Sequence, residues 1–152
     1  MALPKIDAPV YDITLPLSKK EIQFRPFLVK EQRNLLMALE SDERETIEKN
    51  IRQVLHNCTL TENVDIDKLP IVDVEFFFLN LRARSVGEII ENKYRCDNVV
   101  NDDICGNIMD TKLNLLEVQI DKKEGIEDVI QLTDRISIKL RYPEFSVLGR
   151  AN

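Results

Sequence analysis

The chain has 152 residues, 43% hydrophobic and 32% charged, enough for one domain with a substantial core. Its 27 acidic and 21 basic residues give a net charge of −6, which argues against non-specific binding to nucleic acid or an anionic membrane, since both need a positive field. Three cysteines make a poor disulfide scaffold, no run matches a membrane span and the start lacks a secretory leader pattern, so a reducing cytoplasm is the expected setting.

Residues 1–9 read as an extended arm. Tyr11, Ile13, Leu15 and Leu17 then alternate with polar residues, as do Ile22, Phe24 and Pro26 after a Ser18-Lys19-Lys20 turn. This predicts a β-hairpin over 10–27. Pro16 and Pro26 lack amide donors and assign these strands to a sheet edge. Leu28, Gln32, Leu35, Leu36 and Leu39 have helical spacing, predicting a helix over Val29–Glu40. Asp42 and Glu45 form a capping-box pattern before a second helix, where Ile47, Ile51, Val54, Leu55 and Cys58 fall on one stripe.

The stretch 73–106 organises the rest. It predicts a helix over 73–86, with Asp73 as N-cap and Gly87 as a left-handed stop. Val74, Phe77, Phe78 and Leu81 make its stripe, while Phe76 and Leu79 lie off it, so the helix is buried in a core or docked on a partner. A strand is expected over 88–95, followed by an Asn/Asp-rich loop over 97–103. Another strand runs from Met109, and its register slip at Leu115-Leu116 suggests a bulge. A charged turn over 122–128 and a strand over Ile136–Tyr142, ended by Pro143, complete the pattern; the tail 143–152 shows no further element. With 28–86 helical and 88–142 mainly strand, the expected fold is a single α+β domain. It would hold an antiparallel sheet of about five to six strands beside a cluster of about three helices.

The sharpest chemical candidate is the pair Cys96 and Cys105, a thiol or half-zinc knuckle. A structural zinc site wants four N/S ligands, and beyond this pair the chain offers only the distant His56 and Cys58. A metal-free knuckle is therefore the expectation, with an intrachain zinc site, and a redox disulfide or intermolecular site, as the lesser alternatives. Enzyme chemistry finds no support: His56 is the sole histidine, and none of the four glycines sits in a phosphate-cradling loop. The run Phe76-Phe77-Phe78 is either a core anchor or a protein-binding patch. Arg82, Arg84, Lys93 and Arg95 read as a solvated face balanced by Glu88 and Glu91.

Several separated segments, ALPKIDAPVYDITLPLSKKEIQFRPFLVKEQRNLLMALES, LNLRARSVGEIIENKYRC, CGNIM and IKLRYP, resemble in order the baseplate hub assembly protein family (gene product 26) of T-even-type bacteriophages. The resemblance spans essentially the whole chain and carries no catalytic residues. It implies a non-enzymatic, cofactor-free late protein that acts as chaperone or scaffold for the central hub of the tail baseplate. Its partners would be other hub or tail proteins, with self-association open and neither nucleic acid nor membrane involved. The expected location is the host cytoplasm during assembly, or the virion baseplate if the chain is instead a permanent subunit. A zinc- or thiol-dependent binding module is a more distant alternative. The family extends beyond the RYP segment, so a C-terminal portion is expected to be missing. Arg82 to Gly87, Cys96 with Cys105, and Lys30 map onto the family pattern, and Phe76, Phe77, Phe78, Arg82 and Arg84 are the expected partner-binding residues.

Overall fold

The computed structural model describes residues 8–100, 103–121 and 128–150; residues 1–7 of the arm expected over 1–9 and most of the charged turn lie outside them. In the N-terminal hairpin, β1 (Tyr11–Thr14) runs antiparallel to β2 (Glu21–Phe24), with Tyr11 opposite Phe24 and Ile13 opposite Ile22. Alternation sends Ile22 and Phe24 into the core and leaves Glu21 and Gln23 outside. Pro16 and Pro26 sit just outside the ladder, where a missing N–H breaks no strand pairing.

Helices α1 (Val29–Glu40) and α2 (Arg44–Cys58) form an antiparallel pair. The expected capping box is absent: Asp42 takes a left-handed φ of 54° in the turn, and α2 starts after Glu43 without a side-chain cap. The α2 stripe faces inward as expected, with Val54, Leu55 and Cys58 buried and Ile47 and Ile51 half-buried. The α1 stripe does so only at Gln32 and at Leu35, which is half-buried against the core. Glu31 and Ala38 mark the inward side of α1, whereas Leu28, Leu36 and Leu39 are each more than half exposed. Arg25 draws the Glu31 carboxylate inward, and this fixes the rotation of α1.

The central helix α3 spans Ile71–Val86, two residues earlier than expected, with Pro70 rather than Asp73 at its N-cap. The pre-set φ of proline suits a helix entry. Asp73 instead sits within the first turn, fully buried, and its two oxygens accept the Leu17 and Ser18 N–H groups at 2.8 Å each. It caps the β1–β2 turn. Val74, Phe77 and Leu81 fill the core, where Phe77 meets Phe24 edge-on at 5.4 Å. Gly87 ends the helix at φ 137°, ψ 151°, outside the left-handed helical region and in one that side-chain-bearing residues rarely adopt.

The remaining strands form ribbons. β3 (Ile89–Arg95) pairs with β6 (Ile108–Asn114), and the short β4 (Val99–Val100) and β5 (Asp103–Ile104) pair at the tip of the same ribbon. β7 (Val129–Thr133) pairs with β8 (Ile136–Lys139). The fold is α+β, but among the described residues the strands make four separate two-stranded ladders rather than one sheet. The slip at Leu115-Leu116 is a 3-10 turn (Leu115–Glu117), not a bulge; it drops Leu115 into the core. The tail adds another 3-10 turn, Phe145–Arg150, with Phe145 buried.

The two long ribbons leave opposite ends of α3. At its C-terminal end Leu115 N–H donates to Glu88 C=O at 2.8 Å; at its N-terminal end Ile71 N–H donates to Pro143 C=O at 3.0 Å. The 16 residues of α3 therefore set the two attachment points about 24 Å apart.

Candidate partner-binding surfaces

The aromatic run divides between core and surface. Phe77 is wholly buried and offers a partner nothing, while Phe76 and Phe78 are half-buried, Phe78 against the core. Arg84 is exposed and lays its guanidinium 4.8 Å over the Tyr11 ring, a cation–π contact. Arg82 is half-buried. The Phe27 N–H donates to Ser85 Oγ at 3.0 Å, which joins the end of α3 to the entry of α1. The Arg82–Val86 segment is thereby brought beside Leu28 and Val29, and Val86, Leu28 and Val29 are all largely exposed. Lys30, on the same turn of α1, is exposed as well.

Cys96 and Cys105 meet at the waist between the β3–β6 and β4–β5 ladders. Cys96 N–H donates to Asn107 C=O, Cys105 N–H to Asn98 C=O, and Gly106 N–H to Cys96 C=O, at 2.8, 2.8 and 3.0 Å. Gly106 takes φ 62°, and a Cβ there would come within 3.4 Å of the Arg95 guanidinium. Both thiols are free, Cys96 half-buried and Cys105 exposed. Among the described residues no three His, Cys, Asp or Glu side chains gather as a metal site. His56 is exposed on α2 while Cys58 points into the core, so His56-x-Cys58 does not converge.

Burial pushes the Cys58 thiol up to about 12, and the nearby Glu31 charge adds to the shift. Thiol reagents are therefore expected to modify Cys96 and Cys105 in the native protein and to reach Cys58 only on unfolding. Peptide mapping after timed alkylation reads this directly; equal labelling of all three cysteines would contradict the packing described.

Three apolar surfaces escaped the sequence reading. One is the outward side of α1, where Leu28, Leu36 and Leu39 line up with Val29. The other two are ribbon faces. On one face of β3–β6, Lys112 pairs with Glu91 at 2.6 Å and Lys93 approaches Asp110 at 3.7 Å across the strands. The opposite face places Ile90 against Leu113 and Tyr94 against Met109, with Leu113, Tyr94 and Met109 about half exposed. On β7–β8, Ile130 lies opposite Ile138 and both are similarly open. A two-stranded ribbon with an open apolar face is marginal in water by itself. The charges at alternate positions of residues 89–95 and 108–114 were the available signal for an amphipathic ribbon.

Among the described residues no helix is long and apolar enough to cross a membrane. No curated protein and no solved structure matches this chain. A family model described as T4 bacteriophage base plate protein matches residues 8–151. Since that match takes in the hairpin, all three helices and both ribbons, the chain belongs to the T4-type phage baseplate protein family.

Proposed function

We propose that the chain is a non-enzymatic assembly factor of the baseplate hub that works through protein–protein contacts and needs no cofactor. It shields apolar surface on a hub or tail protein until the permanent neighbour arrives. The observation that carries this reading is α1: a stripe of leucines with helical spacing faces solvent, although the same helix buries a glutamate. Such a stripe fits a groove or a second helix on a partner, read at i, i+3, i+4 and i+7 spacing. Val86, Arg82 and Arg84 extend the surface beyond the entry of α1, and Phe76 and Phe78 contribute their exposed portions.

Replacing Leu36 and Leu39 together with Ser is expected to cut completed baseplates at least about tenfold, equivalent to 1.4 kcal/mol of lost contact. Thermal unfolding should stay within a few degrees of the parent, because neither side chain is in the core. Unimpaired assembly by this variant would remove α1 from the interface. Quantifying the chain in purified particles and in infected-cell lysate then separates the roles. Abundance in lysate with absence from particles is the result expected of an assembly factor, whereas fixed stoichiometry in particles would make it a permanent subunit.

A further inference from the structure

We infer that α1 pairs with α1 of a second copy of this chain, antiparallel about a twofold axis that passes between Leu36 and Met37. The inference rests on α1 as the assembly surface: the face offered to a hub protein is held by another copy until that protein arrives. At about 100° per residue, Val29, Lys30, Arg33, Leu36, Met37 and Glu40 lie within an arc of roughly 120°. All six are exposed, Val29 at 82%. Leu36 and Met37 hold the middle of this arc, Lys30 and Arg33 lie towards its start, and Glu40 ends it. The charges share one face with the apolar side chains.

Self-complementary charge selects a second copy as the occupant. Among the described residues none of Lys30, Arg33 and Glu40 has an ion-pair partner within the chain, and the adjacent Glu31 is taken by Arg25. Arg33 and Glu40 are equally far from the midpoint between Leu36 and Met37, about 5 Å along the helix axis. An antiparallel copy therefore sets Arg33 of each chain on Glu40 of the other, with Leu36 on Met37 between the two pairs. Lys30 then faces the α1–α2 turn, where Asp42, Glu43 and Glu45 outnumber Arg44. Parallel copies would set Arg33 on Arg33 and Glu40 on Glu40. The last turn of α1 carries no basic residue, and the twofold brings a second Arg33 to its negative end. Such a contact removes on the order of 800 Å² from water, below the ~1,200–2,000 Å² of stable complexes, so it is weak and open to exchange. Because it is isologous, it closes at two chains.

Sedimentation velocity of the full chain between about 1 and about 300 μM tests this, a range that brackets a weak specific interface. The parent is expected to pass from monomer to dimer with a Kd of about 10–100 μM and to form nothing larger. Arg33→Glu and Glu40→Arg, each checked for an unchanged Tm, place like charges at both pairs and should raise that Kd at least about tenfold. The two variants mixed in equal amounts, or both substitutions in one chain, set opposite charges together again and should return the Kd to within about threefold of the parent. A parent that stays monomeric or grows past two chains, a single variant that dimerises as the parent does, or a failure of both restored pairings would each overturn the twofold. Loss of baseplates in the Leu36/Leu39 variant beside a monomeric parent would overturn the pairing alone. Unimpaired baseplates in that variant beside a parent dimer with the expected charge response would overturn the assembly reading and support the pairing.

Discussion

Asp73→Ala is expected to destabilise the fold by about 3–5 kcal/mol, a large share of the ~5–15 kcal/mol that holds a domain of this size together. The side chain is 0% exposed, and its two oxygens are the partners of the Leu17 and Ser18 N–H groups. Truncation leaves both backbone donors of a half-buried turn with no protein acceptor, at roughly 1–3 kcal/mol each. It also removes the tie between the β1–β2 turn and α3, across 55 residues or more of sequence. Asp73→Asn keeps one acceptor oxygen and should lose about half as much. The exposed Asp12→Ala is the control, expected within about 0.5 kcal/mol of the parent. Urea unfolding monitored by circular dichroism reads all three; a loss below about 1 kcal/mol for Asp73→Ala would mean that water or a shifted turn supplies the missing acceptors.

Arg25→Met comes next, at about 3–5 kcal/mol, because it strands a buried carboxylate. Arg25 grips Glu31 with both guanidinium branches, at 3.0 and 2.8 Å, and donates further to the Pro26 and Asn57 carbonyls. Glu31 also receives the Leu28 N–H at 2.7 Å and lies 3.8 Å from Cys58 Sγ. The end of β2, the entry of α1 and the end of α2 meet in this clasp. Replacing both charges, as Arg25→Met with Glu31→Leu, should recover most of the loss, since apolar side chains of similar size need no partners there.

The clasp also has a pH signature. The Arg25 hydrogen bonds, with help from the Leu28 N–H, hold the Glu31 carboxyl below its ordinary value of 4.5 against the opposing effect of burial. A depressed carboxyl contributes stability that is fully present above the ordinary value and is lost as pH falls through the lower folded-state value. The parent should therefore lose stability more steeply than Glu31→Gln below about pH 4.5. Parallel curves for the two proteins would remove Glu31 from the acid response.

Periodicity carried the local structure well. Val29–Glu40 was readable as a helix from leucine spacing, the α2 stripe from Ile47 to Cys58, and the first hairpin from simple alternation. Val129–Thr133 was missed because five residues beside a charged turn carry too short a pattern. Leu115 was placed correctly as apolar but with the wrong backbone, since a bulge and a 3-10 turn shift side-chain phase alike. The family was legible too, in separated segments that the match over 8–151 bears out.

By itself, then, the sequence determined the α+β class, the helices, most strands and the baseplate family, because period and local composition are properties of a few adjacent residues. Only the tertiary structure decided which apolar faces are covered. The leucine stripe of α1 reads as core until Arg25, distant from α2 in sequence yet bonded to Asn57, turns Glu31 inward and Leu36 and Leu39 outward. Asp73 reads as a helix cap until the hairpin turn arrives from residues 17 and 18 to claim its oxygens. The ribbons read as one sheet until their anchors at opposite ends of α3 hold them apart. In each case contacts made only in the folded chain set the orientation, and local spacing carries no record of them.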